Sequence, residues 1–235
     1  MNKIVYNTGN DCDNHWFYNK YNKGNSRYWT FNIALNLLVQ KHHNPTIIET
    51  GCQRQKDDLG AGMSTSIFAE YIYENDGELI VVDNDQQHLN TATECISEWM
   101  SDINASFHCL DSVTFLRNYS GTVDLLYLDS YDYPYGDMLR KYNGQQDIHA
   151  AEKILQSKSH TEIISEFKDI VIPCQEHCLN EFKAIESNLS DTSIVLIDDN
   201  RLPGGGKPRL AKQYLYQHGW TCLLDYQQTL WVKTI

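Results

Sequence analysis

The sequence predicts a doubly wound α/β domain in which a mostly parallel, seven-stranded sheet closes with a C-terminal antiparallel hairpin. Three observations carry this expectation. Short apolar segments alternate with helical segments five times, as parallel strands joined by crossover helices do. The last two strand segments are separated only by Gln227-Gln228, a hairpin connection. The first five strands each run into a carboxylate at their C-terminal ends: Glu49, Asp83, Asp111, Asp129 and Asp198-Asp199. Those ends are where open α/β sheets bind ligands.

Taken in order, residues 1–27 are rich in Asn, Tyr and Asp without a clear period and read as a loop or ordered cap. Trp29, Ile33, Leu37 and Leu38 recur at helical spacing over residues 27–40, and Pro45 closes that region. Residues 46–49 form the first strand, which enters Gly51-Cys52, a polar loop and Gly60-Ala61-Gly62. A helix follows, with Ser64 or Thr65 as its N-cap and Ile67, Phe68 and Tyr71 buried. Strand 78–83, helix 87–100, strand 107–110, a short helix 113–118 and strand 123–128 come next. Residues 130–174 are long and mixed, with a helical pattern near residues 149–155, and read as an insertion or lid. A helix over 175–189 leads to strand 193–197. The loop Leu202-Pro203-Gly204-Gly205-Gly206-Lys207-Pro208 is not a phosphate-binding P-loop. The first glycine of that motif would fall on Arg201, and Pro208 stands where its Ser/Thr belongs. Helix 209–218 and strands 221–226 and 229–233 complete the chain. The expected organisation is a cap or lid segment at 1–45 and one catalytic domain at 46–235, with the insertion at about 130–174.

At 235 residues the chain suits one α/β domain. A formal charge of −12 repels polyanions, so nucleic acid is not expected as a partner. No apolar run approaches a membrane span and residues 1–13 lack a signal-peptide pattern, so a cytoplasmic protein without membrane contact is expected. The seven cysteines then read as free thiols, and Cys174, His177 and Cys178 lack the further ligands of a zinc site. Homo-oligomerisation is left open.

Glycines after the first strand let a ligand approach the backbone closely, and Asp83 follows about 20 residues later, where a carboxylate accepts from a ribose diol. This suits a nicotinamide dinucleotide or S-adenosylmethionine. The glycine spacing does not follow the pyrophosphate-binding G-x-G-x-x-G pattern. Asp111-Ser112 is placed to meet an adenine amino group.

The set Glu49-Thr50-Gly51-Cys52, Gly60-Ala61-Gly62-Met63-Ser64-Thr65, Val82-Asp83, Leu110-Asp111-Ser112, Val123-Asp124-Leu125-Leu126-Tyr127-Leu128-Asp129 and Val195-Leu196-Ile197-Asp198-Asp199-Asn200, with the hairpin, resembles the class I methyltransferases over residues 46–233. That resemblance implies S-adenosylmethionine as cofactor, held by Glu49, Gly51, Gly60, Gly62, Ser64, Thr65, Asp83, Asp111 and Ser112. Asp129 followed by Asp198-Asp199-Asn200 looks like the metal-dependent O-methyltransferases of the catechol and macrolide-sugar types. The catechol type implies Asp129, Asp199 and Asn200 as ligands, and the sugar type Asp129, Asp198 and Asp199. All-oxygen ligands select Mg²⁺, Mn²⁺ or Ca²⁺, and such an ion would acidify an acceptor hydroxyl. Asp129 itself, Asp132 and His177 are candidate catalytic groups, with His149 a rival base. Tyr131, Tyr133 and Tyr135 are available as an aromatic wall, and Trp16, Tyr18, Tyr28 and Trp29 as a lid. The expected function is methyl transfer to a hydroxyl of a sugar, glycan or small molecule. An NAD-dependent sugar-nucleotide enzyme and an inactive binding module on the same fold are the alternatives.

Overall fold

The computed structural model describes residues 21, 26–56, 63–97, 102–142 and 147–233. Its strands are β1 (Thr46–Thr50), β2 (Glu78–Asp83), β3 (Ala105–Cys109), β4 (Val123–Leu128), β5 (Leu189–Ile197), β6 (Trp220–Asp225) and β7 (Thr229–Lys233). They form one seven-stranded sheet in the order β3-β2-β1-β4-β5-β7-β6. The first five pair in parallel, and β7 pairs antiparallel with both β5 and β6. The fold class read from the sequence is the one observed. The chain leaves β1 toward β2 on one side and later returns to β4 on the other, so the crevice between the β1 and β4 ends is the switch point where such sheets bind ligands.

The described helices are α1 (Tyr28–Lys41), α2 (Ser64–Asn75), α3 (Gln86–Ser97), α4 (Ser112–Asn118), α5 (Tyr135–Tyr142), α6 (Ile148–Ser157), α7 (His160–Glu166), α8 (Lys168–Ile185) and α9 (Arg209–Gln217). Adjacent residues of the central strands bury opposite faces of the sheet. Ile47, Leu79, Leu125 and Tyr127 pack with α1–α3, whereas Ile48, Ile80, Leu126 and Leu128 pack with α4, α8 and α9. Burial on both faces is why these strands read as continuous apolar runs. A third, smaller cluster (Met138, Leu155, Ile163, Phe167 and Val171 among its members) unites α5–α7 with the start of α8.

Three local expectations are corrected. The buried stripe of α1 is Tyr28, Phe31, Leu35 and Leu38; Trp29 is 57% exposed. The aromatic Phe31 claims the inward face because it packs edge-on against Phe68 and Tyr127 at 5.6 Å each. Neither Ser64 nor Thr65 is the N-cap of α2. Met63, at φ 48°, precedes the helix without a side-chain cap, and the Thr65 hydroxyl instead accepts from the Gln53 N–H at 2.9 Å. Finally, α8 begins at Lys168 and runs through Pro173, so part of the segment read as insertion belongs to a core-packing helix. A proline inside a helix withholds its own donor and crowds the carbonyl four residues before it, and the buried apolar face of Val171, Cys174 and Cys178 on either side offsets that cost.

Helix α1 lies in the segment read as a cap, yet its aromatic residues enter the main core. Phe31→Ala should therefore cost about 3–5 kcal/mol in urea unfolding, while Trp29→Ala stays within about 0.5 kcal/mol of wild type. Comparable small losses in both would show that α1 is loosely attached.

Candidate active site

The crevice is built by the residues that immediately follow the parallel strands. Gly51, at φ +76°, ends β1, and a Cβ there would come within 2.4 Å of the Asp129 carbonyl oxygen. Only glycine lets the β1 loop lie this close to the end of β4. The backbone then locks the two: the Asp129 N–H donates to the Thr50 carbonyl (2.8 Å) and the Gly51 N–H to the Val82 carbonyl (2.8 Å). Gly60 and Gly62 lie outside the described residues.

On the β2 side, the Asp83 carboxylate accepts from the N–H groups of Cys52 (3.3 Å) and Asp85 (2.8 Å) and meets His88 Nδ1 at 3.3 Å. It thus lies where the β1 loop crosses β2. Glu49 is wholly buried, and among the described residues neither of its oxygens meets a hydrogen-bond donor in good geometry. Burial pushes its pKa up to about 8; the facing Ser64 and Thr65 hydroxyls pull it down, and Asp129 and Asp83 push it further up. A small cavity of ≈ 40 Å³ beyond Asp83 is lined by Asp111, Ser112, Ser130, Tyr131 and His177. His177 Nε2 lies 3.1 Å from both the Ser112 and Ser130 hydroxyls, its ring against Tyr131. Asp111 caps α4, accepting from the Thr114 N–H (2.8 Å) and hydroxyl (2.7 Å), and the Thr114 hydroxyl bond holds its pKa down.

On the β4 and β5 side, a larger cleft of ≈ 320 Å³ is lined by Arg27, Cys52, Arg54, Asp129, Asp132 and Asp199. At its floor three carboxylates meet two cations. Lys207 Nζ lies 2.5 Å from Asp129 Oδ1 and 3.6 Å from Asp199 Oδ2. Arg27 Nε donates to both oxygens of Asp198, at 2.6 and 2.9 Å, and its Nη2 lies 3.8 Å from Asp199. Tyr127 donates to Asp198 (2.6 Å), which also accepts from the Asp199 N–H (2.6 Å), and Gln228 Nε2 donates to the Tyr127 hydroxyl (3.2 Å). Side-chain exposure separates the roles: Asp198 0%, Lys207 1%, Asp199 20% and Asp129 28%. Asp198 is a structural anchor, and Asp129 opens on the cleft. Burial raises the Asp129 carboxyl; Lys207 opposes the rise, and Asp198 and Asp199 add to it. For Asp198 the two cations outweigh burial and hold it ionised.

The structure brings Asp129, Asp198 and Asp199 together, as the metal reading requires, but the set does not fit a divalent ion. The Lys207 ammonium already stands between Asp129 and Asp199. Asn200 turns away, donating to Asp225 (2.7 Å) and the Tyr226 carbonyl (2.6 Å) and accepting from Lys212 (2.9 Å). Among the described residues no His, Cys, Asp or Glu cluster is arranged to hold a metal. Asp132 pairs with Arg54 at 2.9 Å; burial works against ionisation, but Arg54 prevails and keeps its pKa low. His177 lines the small cavity rather than the cleft that holds Asp129, and His149 is an exposed α6 residue beside Glu152. Cys174 and Cys178 are buried thiols of α8. Sequence reasoning passed over Arg27, Lys207 and Gln228. For Lys207 the available signal was a lone lysine closing the Gly204-Gly205-Gly206 run that follows Asp198-Asp199-Asn200.

No family model matches this sequence, and no curated protein matches it. Solved structures do. The chain is similar to the apo structure of a TDP-rhamnose 3′-O-methyltransferase of calicheamicin biosynthesis (12% identity, 87% of this chain and 77% of that chain, TM-score 0.55). It is also similar to an SAH-bound methyltransferase from Podospora anserina (11%, 94% and 85%, TM-score 0.53). A third is an rRNA methylase from Streptococcus thermophilus (7%, 87% and 96%, TM-score 0.50). The chain thus has the class I methyltransferase fold.

A carboxyl whose pKa rises on folding weakens the fold as pH climbs from its unfolded value toward its folded one. For Glu49 that window runs from the ordinary 4.5 to about 8. Thermal melts of ligand-free protein should show Glu49→Gln gaining on wild type between pH 5 and 8, by up to about 1.4 kcal/mol per pH unit. Parallel pH curves would mean that Glu49 already has a partner.

Proposed function

We propose that the protein is an S-adenosylmethionine-dependent methyltransferase acting on a hydroxyl of a sugar, glycan or other small molecule. The observation that carries this reading is Glu49 beside Asp83: wholly buried, faced by the Ser64 and Thr65 hydroxyls, and with no cationic partner among the described residues. A buried carboxylate without a partner is costly, and a cationic ligand relieves that cost. S-adenosylmethionine offers an ammonium for Glu49 and a ribose diol for Asp83. A nicotinamide dinucleotide offers the diol but no ammonium, and its pyrophosphate would meet the carboxylates of Glu49, Asp83 and Asp129. The cavity of Ser112, Ser130, Tyr131 and His177 is the adenine end in this reading, which makes His177 a binding residue rather than the base.

When bound, the cofactor supplies an electrophilic methyl group on a sulfonium. The chain's own residues then govern the acceptor. Asp129 takes the proton from the attacking hydroxyl, since it is the least buried carboxylate of the cluster. Arg27 and Lys207 fix the cluster so that the base does not drift. Asp132, locked to Arg54, borders the acceptor space. Tyr131 and Tyr133 line a separate, neighbouring cavity that shares Asp132 with this cleft and runs along α5. A cleft floored by carboxylates in a chain of charge −12 favours neutral or cationic acceptors over polyanions. Among the described residues no helix is long and apolar enough to cross a membrane, and six described cysteines are free thiols, which supports a cytoplasmic assignment.

At about 100-fold excess over Kd, a ligand adds about 2.7 kcal/mol of stability, or about 5–10 °C in Tm for a chain of this size. S-adenosylmethionine should give that shift, NAD none, and Asp83→Ala should lose most of it. Equal stabilisation by NAD would overturn the cofactor assignment. With labelled cofactor and panels of sugars, catechols, glycans and RNA, transfer should go to a hydroxyl-bearing small molecule or glycan. Asp129→Asn should retain the cofactor Tm shift while turnover falls by about 10²–10⁴-fold. Labelling of RNA alone would refute the acceptor class.

A further inference from the structure

The carboxylates at the ends of β4 and β5 already have cations of the chain's own beside them. We infer that Lys207 is a built-in substitute for a divalent ion, so that this chain, if it transfers methyl groups as proposed, does so without a metal. Three independent features of the structure support the assignment.

The first is position. Lys207 Nζ bridges Asp129 Oδ1 at 2.5 Å and Asp199 Oδ2 at 3.6 Å, the two carboxylates common to both metal-ligand sets that the sequence suggests. An ion bonded to either oxygen from this side would have to share space with the ammonium. The second is charge. Lys207 and Arg27 already place two cationic groups among the carboxyl groups of Asp129, Asp198 and Asp199. Asp198, the most buried of the three, has both oxygens taken by Arg27 and one also by Tyr127, leaving no vacant face for coordination. Asn200 is engaged on the far side with Asp225, Tyr226 and Lys212.

The third is that the backbone is built to deliver this lysine. Gly204, Gly205 and Gly206 all have positive φ, and a Cβ on Gly206 would fall 1.9 Å from the Asp199 carbonyl oxygen. Residue 206 must therefore be glycine for the chain to fold back over Asp199 and present residue 207 to the cluster. Gln175 from α8 donates to the carbonyls of Gly204 (3.2 Å) and Gly206 (3.0 Å) and pins the turn. Asp199 itself adopts φ 56°, in the left-handed region that aspartate enters more readily than most side chains. At 1% exposure the Lys207 side chain reaches the cleft only through Asp129 and Asp199. Lys207 is thus a positioning residue. It holds the Asp129 carboxylate toward the cleft, and it leaves proton transfer to Asp129.

The test is direct Mn²⁺ binding to the purified full chain, followed by loss of the free-ion electron paramagnetic resonance signal. Wild type should leave the signal unchanged in the sub-millimolar range. Lys207→Ala, checked for folding by circular dichroism, frees Asp129 and Asp199 and should bind about one Mn²⁺ per chain at least tenfold more tightly than wild type. Adding Asp199→Asn to that variant should remove the gain. One Mn²⁺ per wild-type chain, lost in Asp199→Asn, would overturn the inference, as would a folded Lys207→Ala that gains no affinity. If Lys207→Ala does not fold, the wild-type titration still decides. In the activity arm, turnover should persist unchanged in excess EDTA; loss in EDTA restored by Mn²⁺ would also overturn it. Absence of transfer to any acceptor would count against the proposed function alone, because the Mn²⁺ titration reads the site without turnover.

Discussion

The burial of three carboxylates at one sheet edge is the constraint around which this molecule is organised. Asp198 lies wholly inside, and Asp129 and Asp199 are largely covered. Charges in such surroundings persist only when paired and hydrogen-bonded, because the desolvation of each is large. The partners come from distant parts of the chain: Arg27 from before α1, Tyr127 from β4, Lys207 from the loop after β5 and Gln228 from the β6–β7 turn. Each then needs its own support. Docking of α1 by Phe31 brings Arg27 into place, the Gly206 turn delivers Lys207, and the antiparallel β7 carries Gln228 beneath the cluster. Removing one partner would leave a buried charge unmatched, which is far more damaging than losing a surface pair.

The two sides of the crevice solve opposite electrostatic problems. On the β4–β5 side the carboxylates are paired with Arg27 and Lys207, which hold Asp129 in one orientation. On the β1–β2 side Glu49 is left unmatched, its pKa raised by burial to about 8. A preorganised half suits the group that must act on a reacting atom. An unmatched half suits the recognition of a cation, since the ligand's charge then provides what the protein withheld. The division also explains why His177 and Asp129, both plausible bases from sequence, belong to different halves: α8 presents His177 to the ends of β3 and β4, on the Ser112 side.

Much of this was legible in the sequence. The alternation of apolar and helical segments gave the strand order's raw material, and the carboxylates at the ends of the first five strands marked the ligand edge. The elements whose patterns are local, β2, β4 and β7, lie where periodicity puts them. What was not legible depends on tertiary choice. The inward stripe of α1 follows Phe31, because an aromatic pocket formed by Phe68 and Tyr127 exists only after the sheet forms. The start of α8 at Lys168 rests on apolar contacts with α5–α7 that outweigh the signal of Pro173. Lys207 carries no periodic or spacing signal. Its importance lies in a backbone reversal at three glycines, and a glycine run in sequence reads equally as a plain loop.

The proposed pairing of Glu49 with a cationic cofactor is tested most directly by counting protons on binding. Calorimetric titration of S-adenosylmethionine at pH 7, repeated in buffers of different ionisation enthalpy, gives the number of protons exchanged on binding. Glu49 is mostly protonated in the free protein at that pH and must ionise to pair with the ammonium. Wild type should release close to one proton and Glu49→Gln nearly none, and the variant should also bind more weakly. Binding without proton release, or release that is unchanged in Glu49→Gln, would contradict the pairing.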